Sequence, residues 1–261
     1  MSLSQEQISQ AAQSLSQAAK DLKPIAALTE TFPGITVEEA YQIQTINIDA
    51  RLKAGARVVG KKIGLTSPAM QQMLGVGEPD YGMLLEDMLL YQGVEFDTST
   101  LLQPRIEGEI AFVMGQDLMG PVTPVEVAMA TAGVTPALEI IDSRVKDWKI
   151  KIQDTVADNA SAAAFVIGAT LIPLGSMDLR HVGFVLTKNG RLAGTGAGAA
   201  VLGSPLQSVA WLINKMGEMG VGVKAGEIIL SGAASAAVDV APGDSIHLVV
   251  DRLGEVACRF A

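Results

Sequence analysis

The sequence predicts an α+β protein, with a small helical part at the N-terminus followed by a larger domain built mostly of strands and turns. Helical periodicity with well-formed caps dominates the first 55 or so residues, and the texture then changes to short apolar runs bounded by Gly, Pro and Asn. Composition agrees: the chain is 49% hydrophobic but only 4% aromatic. Its core must therefore be assembled from Ala, Val, Leu, Ile and Met, which suits broad sheets and small-residue packing.

Ser4 with Gln7 forms a capping box ahead of an Ala-rich helix that runs to about Asp21. Pro24 and the Phe32-Pro33-Gly34 turn break the chain. Thr36 with Glu39 then caps a second helix, placing Val37, Ala40, Tyr41, Gln44, Ile48 and Leu52 on one face until Gly55 ends it. Arg57 to Gly64 reads as a strand. Ser67-Pro68 opens a short helix closed by Gly75, with Ser as cap and Pro in the first position. Two further helices follow the same grammar, one from Thr123-Pro124 to Gly133 and one from Ser204-Pro205 to about Gly220. Asn189-Gly190 between apolar runs marks a hairpin of type I′. Glu227 to Leu230, Ser245 to Val250 and Glu255 to Phe260 read as closing strands around the Pro242-Gly243-Asp244 turn. The expected organisation is a helical region over 1–56 and a catalytic domain over 57–261.

A net charge of −9 argues against nucleic acid or an anionic membrane as partner. A small anionic substrate remains compatible, because a bound metal reverses the field locally. The single Cys258 forms no internal disulfide and fits a reducing cytoplasm. Met1 to Lys20 lacks the basic start and apolar run of a signal peptide, and no stretch reaches the ~20 apolar residues of a membrane span. A soluble cytoplasmic protein is expected.

Chemistry concentrates in Arg105-Ile106-Glu107-Gly108-Glu109-Ile110-Ala111-Phe112. On a strand, Glu107 and Glu109 share one face about 7 Å apart at the backbone, while Ile106, Ile110 and Phe112 take the other. A second strand, Pro136 to Ile141, carries a lone carboxylate, Glu139, among apolar residues. A buried unpaired carboxylate costs several kcal/mol and so neutralises or finds a cation. Three such groups suit a hard ion such as Mg²⁺ or Mn²⁺; zinc prefers His and Cys, and the chain has only His181 and His247. Taken alone, an E-x-E pair more often lines the wet face of an edge strand.

The wider pattern shifts that balance. Gly60-Lys61-Lys62-Ile63-Gly64-Leu65-Thr66-Ser67, Glu78-Pro79-Asp80-Tyr81-Gly82 and Gln103 to Glu109 resemble the fumarylacetoacetate hydrolase superfamily. Its branch of 2-hydroxypenta-2,4-dienoate hydratases and 4-oxalocrotonate decarboxylases is the nearer match. Leu138 to Arg144, Asp154 to Ser161, Gly196 to Gly203 and Ala241 to Asp244 continue the resemblance in order, from about residue 36 to the C-terminus.

The resemblance implies a mixed-sheet, β-roll-like core, homo-oligomeric assembly and association with other meta-cleavage enzymes. It implies Mg²⁺ or Mn²⁺ on Glu107, Glu109 and Glu139. It places Lys62 in the active site, where an inward lysine near a metal could pair with the substrate carboxylate or, with a lowered pKa, transfer a proton; Lys61, facing the other way on the strand, reads as a surface lysine. Asp80, by itself a turn-forming residue, becomes a proton-transfer or water-positioning group. Ser161 is a substrate hydrogen-bonding residue or a helix cap. Gly196-x-Gly198 lacks the βαβ setting of a dinucleotide fingerprint, and Cys258 reads as a packed thiol.

The activity implied is metal-dependent addition of water to a 2-hydroxydienoate, giving a 4-hydroxy-2-oxo acid. Asp80 and the stretch Asp147 to Asp154 match the hydratases. Ala162 and the tail Ala236 to Asp244 look more like the decarboxylases, so decarboxylation of 2-oxo-3-hexenedioate is the alternative. A third reading is a metal-binding subunit without turnover, but nothing in the retained carboxylates or Lys62 supports it.

Overall fold

The computed structural model describes residues 2–67, 71, 72 and 75–261. The helix expected from Ser67-Pro68, with its Met70 to Met73 stretch, lies largely outside the described residues.

Three helices open the chain: α1 (Gln5–Asp21), α2 (Leu28–Thr31) and α3 (Val37–Lys53). Both expected capping boxes are formed, Ser4 with Gln7 and Thr36 with Glu39. Leu52 is exposed at the end of α3, and Ile43 takes a place in the buried face instead. The strands that follow are β1 (Val58–Gly64), β2 (Asp80–Leu85), β3 (Leu89–Leu90), β4 (Glu95–Phe96), β5 (Arg105–Met114) and β6 (Thr131–Ile141). Helix α4 (Pro124–Ala130) separates the last two, and α5 (Ile152–Ala157) leads to β7 (Ala162–Ile167). The Asn189-Gly190 hairpin joins β8 (Gly183–Lys188) to β9 (Arg191–Ala197), with φ of 54° and 73° at the two turn residues. Helix α6 (Pro205–Gly217) and strands β10 (Ile228–Leu230), β11 (Val238–Asp239), β12 (Ser245–Val250) and β13 (Gly254–Phe260) complete the chain.

Two expectations on helix ends fail. Helix α4 stops at Ala130, and Gly133 belongs to β6; a side chain there would press within 2.9 Å of the Ile172 carbonyl. From Thr131 the chain pairs along β5, and that long-range pairing ends the helix ahead of the glycine. Ser204 precedes α6 but makes no side-chain cap bond.

One sheet has eight strands in the order β2-β1-β10-β5-β6-β7-β3, with β11 also paired to β5. The other has five, β4-β13-β12-β8-β9. Their facing sides form the main core, where Ile106, Ile110 and Leu138 meet Leu186, Leu248 and Val256. Gly108 points into this seam, and a Cβ on it would lie 2.9 Å from a Leu248 methyl. Its neighbours Glu107 and Glu109 therefore face away from the seam, as strand alternation demands.

The helical part buttresses the same region. Residues of α1, α2 and α3 share a core with Ile152, Val156 and Ala157 of α5. Buried Gln44 of α3 donates to the Tyr81 carbonyl at 3.1 Å and the Val156 carbonyl at 2.8 Å. One amide thus ties α3 both to the strand of Asp80 and to the helix leading into Ser161. Among the described residues, no helix is long and apolar enough to cross a membrane.

Candidate active site

Antiparallel pairing of β5 with β6 sets Glu107 directly opposite Glu139. Glu109 lies one step along the same face, and one oxygen from each carboxylate falls within 4.8 Å of the others. Glu109 and Glu139 are fully buried. The opposite edge of β5 is covered by β10 at Ala111 to Val113 and by β11 at Arg105 and Ile106. Between those pairings the segment 231–237 arches along β5, with Ser231 N–H donating to the Ile110 carbonyl at 3.0 Å and Ala234 N–H to the Gly108 carbonyl at 3.2 Å. The arch returns a backbone N–H from Gly232 to Glu109 Oε2 at 2.7 Å.

The residues present fit a divalent cation. Glu109 Oε1 and Glu139 Oε2 are buried without a hydrogen-bond donor. Such orphaned anionic oxygens are expensive, and an all-carboxylate set matches a hard, oxygen-preferring ion.

Lys62 lies on the other side of the cluster. Its Nζ donates to the Ala160 carbonyl at 2.9 Å and pairs with Glu139 Oε1 at 3.3 Å. Asp80, the first residue of β2, stands across from Gly64 of β1 in the register. It is therefore a strand residue and not the turn residue its sequence neighbours suggest. A Cβ on Gly64 would come within 2.1 Å of Asp80 Oδ1 and 3.3 Å of Lys62 Nζ, so the close approach of these two groups requires glycine there.

Ser161 ends a turn in which Asn159, Ala160 and Ser161 all take positive φ, at 55°, 50° and 58°. Consecutive left-handed residues without glycine cost free energy and persist only where surrounding structure dictates them. Here Asn159 clasps β2 through the Met83 N–H (2.7 Å) and carbonyl (2.9 Å), and Arg144 holds the Asp158 carboxylate at 2.6 Å. The turn aims the Ala160 carbonyl at Lys62. Ser161 Oγ sits 3.3 Å from Thr155 Oγ1, so Ser161 is no helix cap.

Burial pushes the cluster's carboxyls towards their protonated forms. Glu107 rises to about 7, from burial first and the adjacent Glu139 second. Glu109 is raised well above its ordinary range by burial and by both other glutamates. Glu139 and Asp80 are also raised by burial, with Lys62 opposing in each case. Burial alone would lower Lys62, but Glu139, Asp80, Glu107 and Glu109 together outweigh it and hold the ammonium charged. Without metal, the lowered pKa expected of Lys62 is thus reversed. The expectation for Lys61 also fails: it is 4% exposed and ion-paired with Glu227 on the opposite face of β1.

A pH dependence follows. Carboxyls with raised folded-state pKa values bind more protons folded than unfolded, so stability falls as pH rises between the two values. For Glu107 that window runs from 4.5 to about 7. Buried Asp158, pushed up to about 6, adds the same sign. Without divalent metal, Tm is expected to drop between about pH 5 and 8, and Mg²⁺ to flatten the drop. Calorimetry across that range, with and without the ion, checks it; a flat metal-free profile would contradict the cluster's electrostatics.

Lys62, Asp80, Glu107 and Ser161 converge on one cavity of about 570 Å³. Ala200, Ala233, Ala234, Ala236 and Ala237, with Leu65 and Ile150, give it an apolar and mostly small wall. Sequence reasoning overlooked Arg105, Trp148 and Thr155, which also line it. Strand alternation had the signal for Arg105, which shares the face of Glu107 and Glu109.

The fumarylacetoacetate hydrolase C-terminal model matches residues 86–261. The chain belongs to the fumarylacetoacetate hydrolase family. It is 48% identical over 256 residues to 2-keto-4-pentenoate hydratase of Paraburkholderia xenovorans, covering 98% of this chain and 95% of that one. It is 46% identical to 2-hydroxyhexa-2,4-dienoate hydratase of Comamonas testosteroni, with 95% of each covered. Among solved structures, 4-oxalocrotonate decarboxylase from Pseudomonas putida G7, complexed with magnesium and adipate, superposes with a TM-score of 0.94 at 41% identity over 99% of both chains. The mixed α+β, fumarylacetoacetate hydrolase-like fold expected from the sequence is the fold found.

Proposed function

We propose that this protein is a divalent-metal-dependent hydratase that adds water to 2-hydroxypenta-2,4-dienoate, giving 4-hydroxy-2-oxopentanoate. The observation that carries the reading is the trio Glu107, Glu109 and Glu139, of which Glu107 lines a cavity that Lys62 and Asp80 also line. Two hydratases at 48% and 46% identity over nearly the whole chain support the choice of reaction.

In this reading the three glutamates hold Mg²⁺ or Mn²⁺. Bound there, the ion supplies Lewis-acid stabilisation of negative charge developing on the 2-oxygen of a 2-oxo acid. The chain's own residues do the rest. Lys62, fixed by the Ala160 carbonyl, keeps a positive charge and a transferable proton at the cavity wall. Asp80, raised by burial and backed by Lys62, takes or returns a proton and orients water. Ser161 Oγ hydrogen-bonds substrate, and the alanine wall excludes bulk water from the chain's apolar end. Homo-oligomeric assembly and cytoplasmic residence belong to the same proposal; exposed Val125 and Met129 on α4 support the first, and the single reduced, buried thiol fits the second.

The second reading, decarboxylation of 2-oxo-3-hexenedioate, is favoured by one observation, the 0.94 TM-score to a decarboxylase. Product analysis by NMR separates the two, with freshly generated 2-hydroxypenta-2,4-dienoate and 2-oxo-3-hexenedioate run in parallel and Mg²⁺ or Mn²⁺ present. The expected result is 4-hydroxy-2-oxopentanoate from the first and no CO₂ from the second. CO₂ release from the diacid without hydration of the dienoate would reverse the assignment and leave the metal site in place.

A further inference from the structure

The cavity has a second cation that the proposed reaction has not yet used. Arg105 opens β5 two residues before Glu107 and on the same face, about 7 Å away along the strand. Its guanidinium stacks 4.6 Å from the Trp148 ring centroid. It lines the active-site cavity and also an outer groove of about 410 Å³ that contains Gln103, Asp147 and Asp239. Among the described residues lining the cavity, Lys62 and Arg105 are the only cations. Arg105 is near enough to Glu107 to favour its charged form.

Trp148 is a fixed platform. Its Nε1 donates to the Gln103 carbonyl at 3.0 Å, and Asp147 N–H donates to Gln103 Oε1 at 2.9 Å. Asp147 and Trp148 both take positive φ, 58° and 53°, so the loop is held in an uncommon shape that presents the indole to Arg105. The carboxylate partner is much looser. Arg105 Nε pairs with Asp239 Oδ1 at 2.9 Å across the β5–β11 register, but the Asp239 side chain is 84% exposed. A pair so exposed contributes little, and its carboxylate is exchangeable for another.

We propose that Arg105 is the residue that binds the substrate's C1 carboxylate, releasing Asp239 as it does so. The inference rests on the hydratase reading. A 2-oxo acid held through one carboxylate oxygen and its 2-oxygen leaves its second carboxylate oxygen free. A guanidinium on a rigid aromatic platform beside Glu107 is suited to receive that oxygen, because its planar donor fork matches a carboxylate. The apolar tail is then directed to the alanine wall. Asp239 acts as a placeholder that keeps the guanidinium paired and pointed at the mouth between turnovers.

The test uses variants with opposite expected signs. Arg105→Met should raise KM for 2-hydroxypenta-2,4-dienoate by about ten- to hundredfold, the worth of a charge-assisted hydrogen bond. Its kcat should move far less, and Arg105→Lys should recover part of the loss. Asp239→Asn should lower KM by about twofold, since it removes the competitor. A merely structural pair would make both variants worse. Calorimetric binding of 2-oxopentanoate in the presence of Mg²⁺ gives a readout independent of turnover, and should weaken in Arg105→Met and tighten in Asp239→Asn. Unchanged binding and KM in Arg105→Met would overturn the assignment. So would a loss confined to substrates with a second, distal carboxylate. If the wild type itself does not hydrate the dienoate, the hydratase reading fails instead, and the two failures are distinct.

Discussion

Glu109→Gln is expected to lose about a thousandfold in metal-dependent turnover while its metal-free form unfolds at a higher temperature than the wild type. Both effects come from one change. A Lewis acid supplies several kcal/mol of transition-state stabilisation, and each ~1.4 kcal/mol is tenfold in rate. Glu109 is fully buried with Oε1 unpartnered, so the amide removes a carboxyl that the fold keeps at a cost, either as a buried anion or as an acid protonated above its ordinary range. It also relieves repulsion from Glu139 and Glu107. The amide carbonyl still accepts the Gly232 N–H, so the arch over β5 keeps its anchor. Ligand linkage adds the converse. Mg²⁺ at a hundredfold excess over its Kd stabilises the wild type by about 2.7 kcal/mol, and the variant should lose most of that gain. Paired thermal scans with and without Mg²⁺, alongside initial rates, read all three quantities. A variant that unfolds earlier without metal yet keeps its Mg²⁺-induced rise would show that Glu109 is structural and not a ligand.

How much of this was legible in the sequence depends on how local each signal is. The strand alternation of Glu107, Gly108 and Glu109 was readable because two carboxylates and a glycine report opposite faces of one strand. The pairing of Glu107 with Glu139 was not, since register between β5 and β6 depends on long-range packing. Caps at Ser4 and Thr36 were readable because each involves four consecutive residues. The end of α4 was misread because Gly133 looks like a helix stop, while the strand that claims it is stabilised by a distant partner. Lys61 and Lys62 differ in facing, as strand geometry requires. Whether Lys61 meets water or the half-buried Glu227 is decided by tertiary structure alone. The left-handed run at Asn159 to Ser161 leaves no local mark either, because its support comes from β2 and Arg144.

Lys62→Met tests the cluster from its positive side. In the metal-free protein, Lys62 is the cation that offsets Glu139, Asp80, Glu107 and Glu109, of which Glu107 is half-buried and the others are buried. Removing one partner of a buried ionic set typically costs about 3–5 kcal/mol, because the remaining charge stays uncompensated. For a chain of this size that is roughly 6–20 °C in Tm. The penalty should be specific to pH. Near pH 8 the carboxylates are charged in competition with one another and the loss is largest. As pH falls through about 7 Glu107 takes up a proton, and burial raises Glu109, Glu139 and Asp80 in the same direction. As acidification neutralises the raised acids, the wild-type ammonium has fewer charges to offset, and the methionine variant leaves fewer charges uncompensated. The stability gap should therefore narrow on acidification. Mg²⁺ at pH 8 should close it as well, by supplying the missing positive charge. Turnover should fall by about 10²–10⁴-fold under all of these conditions, since the ion replaces the charge but not the transferable proton. Equal destabilisation at pH 5 and pH 8 would mean that Lys62 matters for packing alone. Wild-type turnover in the refolded, Mg²⁺-loaded variant would remove it from the chemistry.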